Sequence, residues 1–428
     1  MKKHFTFFVL FVSISVMAQE LPIFKATKYD STAVKGCFFL AAKDNLIIMD
    51  KDANIVYYKP IEDVLDFTLE QNGKMIVASM ANTFEMDSTF YMKDTFACKN
   101  EIGHDQHDRI ILPKNHILLM GKERLKIDLT NYPEWTRLAK HYSPVLPTAV
   151  IQELDAERNV IFEWRAKDHF LLSDVDTFFI SHDFSPEWTH SNALELDEDG
   201  NILLSSRNLN EITKINRSNG SIIWRFGGKN NEFKFVNCPV PFYGQHNIRK
   251  LANGHFTLFD NGDNIVPHGA RAMEFELDEV NKIATLVWSY TYDKNMSSKG
   301  RGNVQRLTDG NTLINFGDPS CGNVSFCTVN SRGEKILEVS CFSPNSYRVT
   351  NYPSLPFHLN RPQISCFDSA GVKYLGAGVG YKSYKWNTGD TTRIIKITHA
   401  GSYSVFVPYG EGGFISSEKF TIGDIEKH

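Results

Sequence analysis

Residues 242–263, FYGQHNIRKLANGHFTLFDNGD, read as a β-hairpin led by a histidine. Apolar positions alternate at Ile248, Leu251, Phe256 and Leu258 on either side of Ala252-Asn253-Gly254, and an Asn-Gly pair takes the positive φ of a tight turn at little cost. His246 follows a Tyr-Gly-Gln turn, so a reactive side chain sits at the mouth of a rigid element. Two other stretches share this layout: His107 precedes DRIILPKNHILLM, and His190 precedes SNALELDEDGNILLSSR. Counted back from Leu112, Leu196 and Leu251, the histidine lies five residues away for His107 and His246 and six for His190.

The hairpin recurs along the chain. It returns as FTLEQNGKMIVAS around Gly73, ILPKNHILLM around Asn115, LELDEDGNILLSS around Gly200 and RLTDGNTLINF around Gly310, with a less regular copy, FFLAAKDNLIIMD, ahead of them. With the first stretch these make six. A second kind of hairpin follows most of them: IQELDAERNVIFEW, ITKINRSNGSIIWRFG, AMEFELDEVNKIATLVWSY and CTVNSRGEKILEVS. Two hairpins are four strands, and the steps of 54 and 56 residues from Gly200 to Gly254 to Gly310 suit a propeller blade. The expected fold class is therefore all-β: a six-bladed β-propeller over residues 19–355, closed near 340–352 by an outer strand from each end. Segments 122–149 and 166–188 read as loops inserted on one face, and Trp164, Trp224 and Trp288 as packing between blades.

After the linker NYPSLPFHLNRPQ the composition shifts to Gly, Ser, Thr and short alternating strands. Residues 356–428 are expected to form a small immunoglobulin-like β-sandwich. Its YKWNTGDTT and GSYSV motifs resemble accessory modules of secreted bacterial proteins, and no cluster of catalytic residue types lies in it.

Residues 1–18 have a basic start, an apolar run FTFFVLFVSISV and Val16-Met17-Ala18 as a small-residue cleavage signal. They read as a secretory signal peptide, so an exported protein is expected, periplasmic, secreted or at the cell surface, with no membrane span. The net charge of −4 arises from mixed signs without a basic run, which argues against nucleic-acid partners. Seven cysteines, an odd number, leave at least one thiol unpaired after export. A local Cys321–Cys327 bridge stays open. The aspartates of LDEDGN, FDNGD and GDPS lack the regular spacing of calcium loops and read as hairpin turns.

In a propeller, residues at one phase of neighbouring blades converge at the mouth of the central channel. His107, His190 and His246 would meet there, joined by Arg207 at the end of the Ser205-Ser206-Arg207 strand. GHDQHDRIILPKNHILLM, EWTHSNALELDEDGNILLSSRN, ITKINRSNGSIIWRFGG and QHNIRKLANGHFTLFDNGD resemble the bacterial arylsulfate sulfotransferases, or arylsulfotransferases, over roughly residues 95–340. Those are six-bladed propellers that move a sulfuryl group between phenols without an adenosine phosphosulfate donor. The resemblance implies that His246 is the nucleophile that becomes a sulfohistidine. It makes His190 and Asn192, in the W-x-H-x-N motif headed by Trp188, and Arg207, in the SSR motif, parts of the site. His107 takes the HD position with His104 as its neighbouring alternative, and Asn303 is a candidate last-blade contact. The chain differs from some members in carrying a C-terminal module rather than an N-terminal sandwich.

The residue types suit that chemistry. A sulfate monoester spreads negative charge over three oxygens, so its attacker must be neutral and its surroundings cationic. Imidazole is neutral and nucleophilic near pH 7, and the guanidinium fork of Arg207 matches sulfuryl oxygens. Trp135, Trp188, Phe178, Phe179, Phe184 and Tyr243 are candidates for an aromatic slot, with Tyr243 as a substrate contact. The expected partners are an aryl sulfate donor and a phenol acceptor, with no cofactor. A homodimer, and polysaccharide or cell-surface binding by the C-terminal module, stay open. Two other classes remain: a metal-dependent hydrolase or lyase using the three histidines as ligands, and a secreted propeller that binds a glycan or protein without chemistry.

Overall fold

The turns form where the glycines permit them. Gly200, Gly254 and Gly310 take φ of +78°, +85° and +85°, the left-handed geometry that glycine adopts without strain. The computed structural model describes residues 21–30, 34–70, 72–138, 145–182, 187–262, 268–342 and 345–423. The expected signal peptide and Phe184 lie outside the described residues.

The described chain is all-β, with six main sheets that each begin as an antiparallel four-stranded meander. The first strands, in chain order, are Val64–Leu69, Gly103–Ile111, Ser191–Leu196, His246–Lys250, Asn303–Arg306 and Val349–Tyr352. Each of the first five runs directly into its own sheet, as the hairpins predicted. The sixth does not. Its first strand, Val349–Tyr352, pairs with Cys37–Ala42, so the irregular early hairpin supplies the second and third strands of a sheet whose first strand comes from the far end of this part of the chain. The other chain end adds Phe24–Lys28 outside Lys335–Cys341. The expected pair of outer strands is thus one outer and one inner strand.

Side-chain amides pin that late strand. Asn303 Nδ2 donates to Val349 O at 2.9 Å and Asn303 Oδ1 accepts from Val349 N at 2.9 Å. Gln305 repeats the pattern two residues on, with Asn351 O at 3.0 Å and Asn351 N at 2.7 Å. A period of two in the strand puts both amides on the same face.

Large apolar side chains fill the spaces between sheets. Trp164 packs with Leu118, Ile151, Leu194 and Ile202 from two sheets, and Trp224 with Ile212, Leu258 and Phe275. Trp288 is partly buried against Phe259 and Phe316. The 122–149 segment is less a loop than expected: Ile117–Lys126 and Val145–Leu154 stay paired through Lys126↔Val145, because alternation persists past the core hairpin. Residues 166–182 carry short turns and the helix Thr177–His182. Trp135 Nε1 donates to Leu172 O at 3.2 Å and Trp188 Nε1 to Leu171 O at 3.3 Å, fastening this insertion to the body.

The C-terminal part continues the sixth sheet, since Gly413–Ser416 pairs with Ile55–Pro60 and is followed by Val405–Tyr409 and Lys385–Trp386. Ile364–Ser369, Val372–Ala377 and Ile394–Lys396 form a separate three-stranded sheet, and Gly401–Tyr403 pairs with Phe420–Ile422. All seven cysteines are free thiols. Cys327 is buried in a central strand while Cys321 is exposed, so the two are not bridged.

Candidate active site

Gly244, at φ +64°, turns the chain into the His246 strand, and its N–H donates to Asn210 Oδ1 at 2.7 Å. The buried amide of Gln245 donates to Ser205 Oγ at 3.2 Å, Ser206 O at 3.3 Å and Glu211 O at 3.0 Å. The Gln-His pair is thereby tied to the strand end that leads into Arg207.

His246 Nδ1 lies 3.1 Å from Gly244 O and 2.9 Å from Asn261 Oδ1. Both are acceptors, so Nδ1 carries the ring proton and Nε2 keeps its lone pair. Asn261 is itself oriented, because its Nδ2 donates to Arg301 O at 2.9 Å. Burial, and after it the Arg207 guanidinium, push His246 down to about 3. The ring is neutral at physiological pH.

His107 reaches the same place through a bulge between Leu119 and Gly121 in the pairing of its strand, which re-aims residues 105–108. His107 Nδ1 contacts the Asp105 carboxylate. Burial alone would raise Asp105, but His107 and Lys122 hold it well below the ordinary carboxylate range. His190 sits at φ +45°, a left-handed conformation costly for a residue with a Cβ. Its carbonyl accepts Arg207 N at 3.1 Å, and Glu187 Oε2 lies 3.3 Å from its Nδ1. Burial, then Arg207 and His107, keep His190 well below the usual histidine value.

The rings are neighbours: His107 to His190 is 5.5 Å between centroids, His190 to His246 6.4 Å. Arg207 lies over the Phe179 ring at 4.3 Å, with Nη1 on Asn208 Oδ1 at 3.1 Å and Nη2 on Lys299 O at 3.3 Å. These four residues line a cavity of about 390 Å³ together with Leu65, Gln106, Glu187, Lys299, Gly300, Arg301, Asp318 and Tyr347. The cations Arg207, Lys299 and Arg301 outnumber the carboxylates Glu187 and Asp318 in its lining, a setting for an anion.

Residues 17–341 match the protein family described as Arylsulfotransferase (ASST). The chain belongs to the arylsulfotransferase family. It is accordingly a sulfotransferase acting on small molecules. No curated protein matches it. Among solved structures, a protein of unknown function from Bacteroides caccae is 11% identical, with 74% of this chain and 98% of that one covered and a TM-score of 0.49. A streptogramin B lyase is 11% identical over 92% and 97% of the two chains, with a TM-score of 0.36. A virginiamycin B lyase from Staphylococcus aureus is 11% identical over 83% and 96%, with a TM-score of 0.38. Among the described residues no helix is long and apolar enough to cross a membrane.

Other candidate residues of this arylsulfotransferase lie around the cavity rather than in it. His104 is displaced by the bulge, with Nε2 3.4 Å from Thr83 Oγ1. Asn192 is fully buried, and its Nδ2 donates to Gln245 O at 2.8 Å, supporting the His246 turn. The amide of Asn303 is engaged by Val349, away from the cavity. Tyr243 stacks on Phe179, 5.4 Å between centroids, so it backs the ring under Arg207. Trp135 and Trp188 anchor the insertion, and Phe178 stacks on His182. The aromatic that does line the cavity is Tyr347, 5.4 Å from His107 and 6.4 Å from His246, with its hydroxyl donating to Asn192 O at 2.5 Å.

The sequence reading passed over Tyr347, Arg301, Lys299 and Asn261. The one usable signal was Ser346-Tyr347-Arg348 just before an inner strand, hidden because that strand closes the sixth sheet. Arg348, next after Tyr347, reaches Asp66 Oδ2 through Nη1 at 2.6 Å, Arg249 Nη2 reaches Asp108 Oδ2 at 2.8 Å, and Arg109 also pairs with Asp66. These ion pairs, buried except for the half-buried Arg249, join residues on or beside the first strands of different sheets.

Proposed function

We propose that this protein moves a sulfuryl group from an aryl sulfate to a phenol in two half-reactions through an N-sulfohistidine on His246, with no adenosine phosphosulfate donor and no cofactor. The observation that carries this reading is the held tautomer of His246: Nδ1–H is committed to Gly244 O and Asn261 Oδ1, and Nε2 is the nitrogen left for the cavity. In the first half-reaction Nε2 attacks sulfur, the S–O bond to the aryl group breaks, and the departing phenolate takes a proton from His107. In the second, the acceptor phenol gives its proton back to that imidazole, its oxygen attacks sulfur, and the S–N bond breaks. Arg207, His107 and His190 contact the sulfuryl oxygens, and Arg301 and Lys299 add positive charge at the rim. Asn192 and Asn261 act by positioning.

The scaffold we propose is a closed six-bladed propeller. Support comes from contacts between successive inner strands and from the sixth sheet touching both the Asn303–Arg306 strand and, through Cys37–Ala42, the Val64–Leu69 strand. The C-terminal module is taken as an immunoglobulin-like accessory unit, and the protein as exported.

Purified protein is mixed with 4-nitrophenyl sulfate, with and without phenol, and quenched for peptide mass spectrometry. Phenol-dependent nitrophenol release with a sulfuryl adduct on His246, absent from His246→Ala, is the expected result. Release that does not need phenol would identify a sulfatase. No turnover and no adduct across a panel of aryl sulfates would overturn the proposal.

A further inference from the structure

Lys122 is a residue that neither the histidine pattern nor the sulfuryl chemistry calls for. It lies on the extension of the Ile117–Lys126 strand, opposite Gly103 and Ala149. Its Nζ stands 3.3 Å from Asp105 Oδ2 and 3.0 Å from Glu187 Oε1. The other oxygen of each carboxylate faces a histidine: Asp105 Oδ1 contacts His107 Nδ1, and Glu187 Oε2 lies 3.3 Å from His190 Nδ1. One ammonium thus bridges two carboxylates, and each carboxylate holds one of two imidazoles whose centroids are 5.5 Å apart. A surface lysine with one carboxylate would be an ordinary ion pair worth little. A lysine joining two carboxylates that each orient a cavity histidine is a second layer behind the site, comparable in logic to the groups that orient metal-bound histidines.

We propose that Lys122 is a positioning residue: by holding Asp105 and Glu187 as fixed anions it keeps His107 and His190 in the Nδ1–H tautomer, with both Nε2 atoms toward the cavity. This deepens the sulfotransfer reading and rests on it only for its use in catalysis. Without the opposing ammonium, the Glu187 carboxylate would favour a second proton on His190 and draw its ring out of the neutral form. With Lys122 present, one proton can go out in the first half-reaction and return in the second. The groups facing His107 are Asp105, His190 and Tyr347, and those facing His190 are Glu187, Arg207, His107 and His246. Glu123, next along the strand, is engaged elsewhere by Arg165 and Lys167.

The test is long-range 1H–15N spectroscopy of the full chain labelled at histidine, with His107→Gln and His190→Gln supplying the assignments. In the unaltered protein the neutral rings of both are expected with the proton on Nδ1. In Lys122→Met the titration midpoint of His190 is expected to rise by about one pH unit, a Coulomb estimate discounted for partial solvent screening, and Lys122→Arg is expected to restore it. An unmoved His190 midpoint in folded Lys122→Met would overturn the proposal. If that variant does not fold, Glu187→Gln decides: His190 must then show mixed tautomers, and an unchanged His190 spectrum overturns the proposal equally. These signals do not require turnover. An inactive protein that shows the shift would refute the sulfotransfer reading and leave the brace standing.

Discussion

Asn261 is the residue through which the state of His246 can be changed with the smallest change of shape. In Asn261→Asp the oxygen 2.9 Å from Nδ1 gains a full negative charge while the side-chain volume stays the same. A unit charge about 4 Å from the centre of imidazolium charge is worth about 4 kcal/mol at an effective dielectric constant of ~20, or roughly three pH units. The new carboxylate also loses the donation to Arg301 O and is itself desolvated, so we expect a rise of about two units. Starting from about 3, His246 would titrate near pH 5. The assay is the pH dependence of 4-nitrophenol release in the first turnover, before acceptor enters. The unaltered protein is expected to show no loss attributable to His246 down to the acid limit of the fold. The variant is expected to lose the burst with a midpoint near pH 5, as imidazolium replaces the nucleophile. A variant whose burst keeps the pH profile of the unaltered protein would refute the claim that the Nδ1 hydrogen bond governs the reactive nitrogen.

Three further outcomes are expected. Arg207→Lys keeps the charge but loses the planar fork and the stacking on Phe179, so kcat/KM for aryl sulfates should fall about 100-fold, measured by steady-state kinetics; a change below threefold would remove Arg207 from the clamp. Asn303→Ala leaves the Val349 N–H and carbonyl without their side-chain partner, and urea unfolding should show about 2 kcal/mol lost. Acid should destabilise the fold through His246, because its folded value lies below its unfolded one: nothing is lost above pH 6.5, and about 2 kcal/mol is lost by pH 5 as the unfolded chain takes up a proton that the folded site refuses. Urea titrations at pH 7 and pH 5 should show that loss reduced in His246→Gln.

Local chemistry made much of this protein legible. Turns with glycine at positive φ and strands of period two are short-range signals, so the hairpins, the all-β class and the phase of His107, His190 and His246 could be read from neighbours in the chain. So could Arg207, because it ends a strand of the same kind. The sequence marks 340–352 as the closing segment but not its place in the sheet, since Val349–Tyr352 finds Cys37–Ala42 by shape and unpaired backbone rather than by any adjacent motif. The same long-range step delivers Tyr347 to the cavity and commits Asn303 to backbone. Tertiary structure alone also placed His107 rather than His104 in the cavity lining, through one bulge, and set the proton on His246 Nδ1, through Asn261 from 15 residues away. A side chain's type and strand phase belong to the sequence. Its tautomer, charge and partners depend on which distant groups the fold places within about 3 Å, where hydrogen bonds and desolvation act.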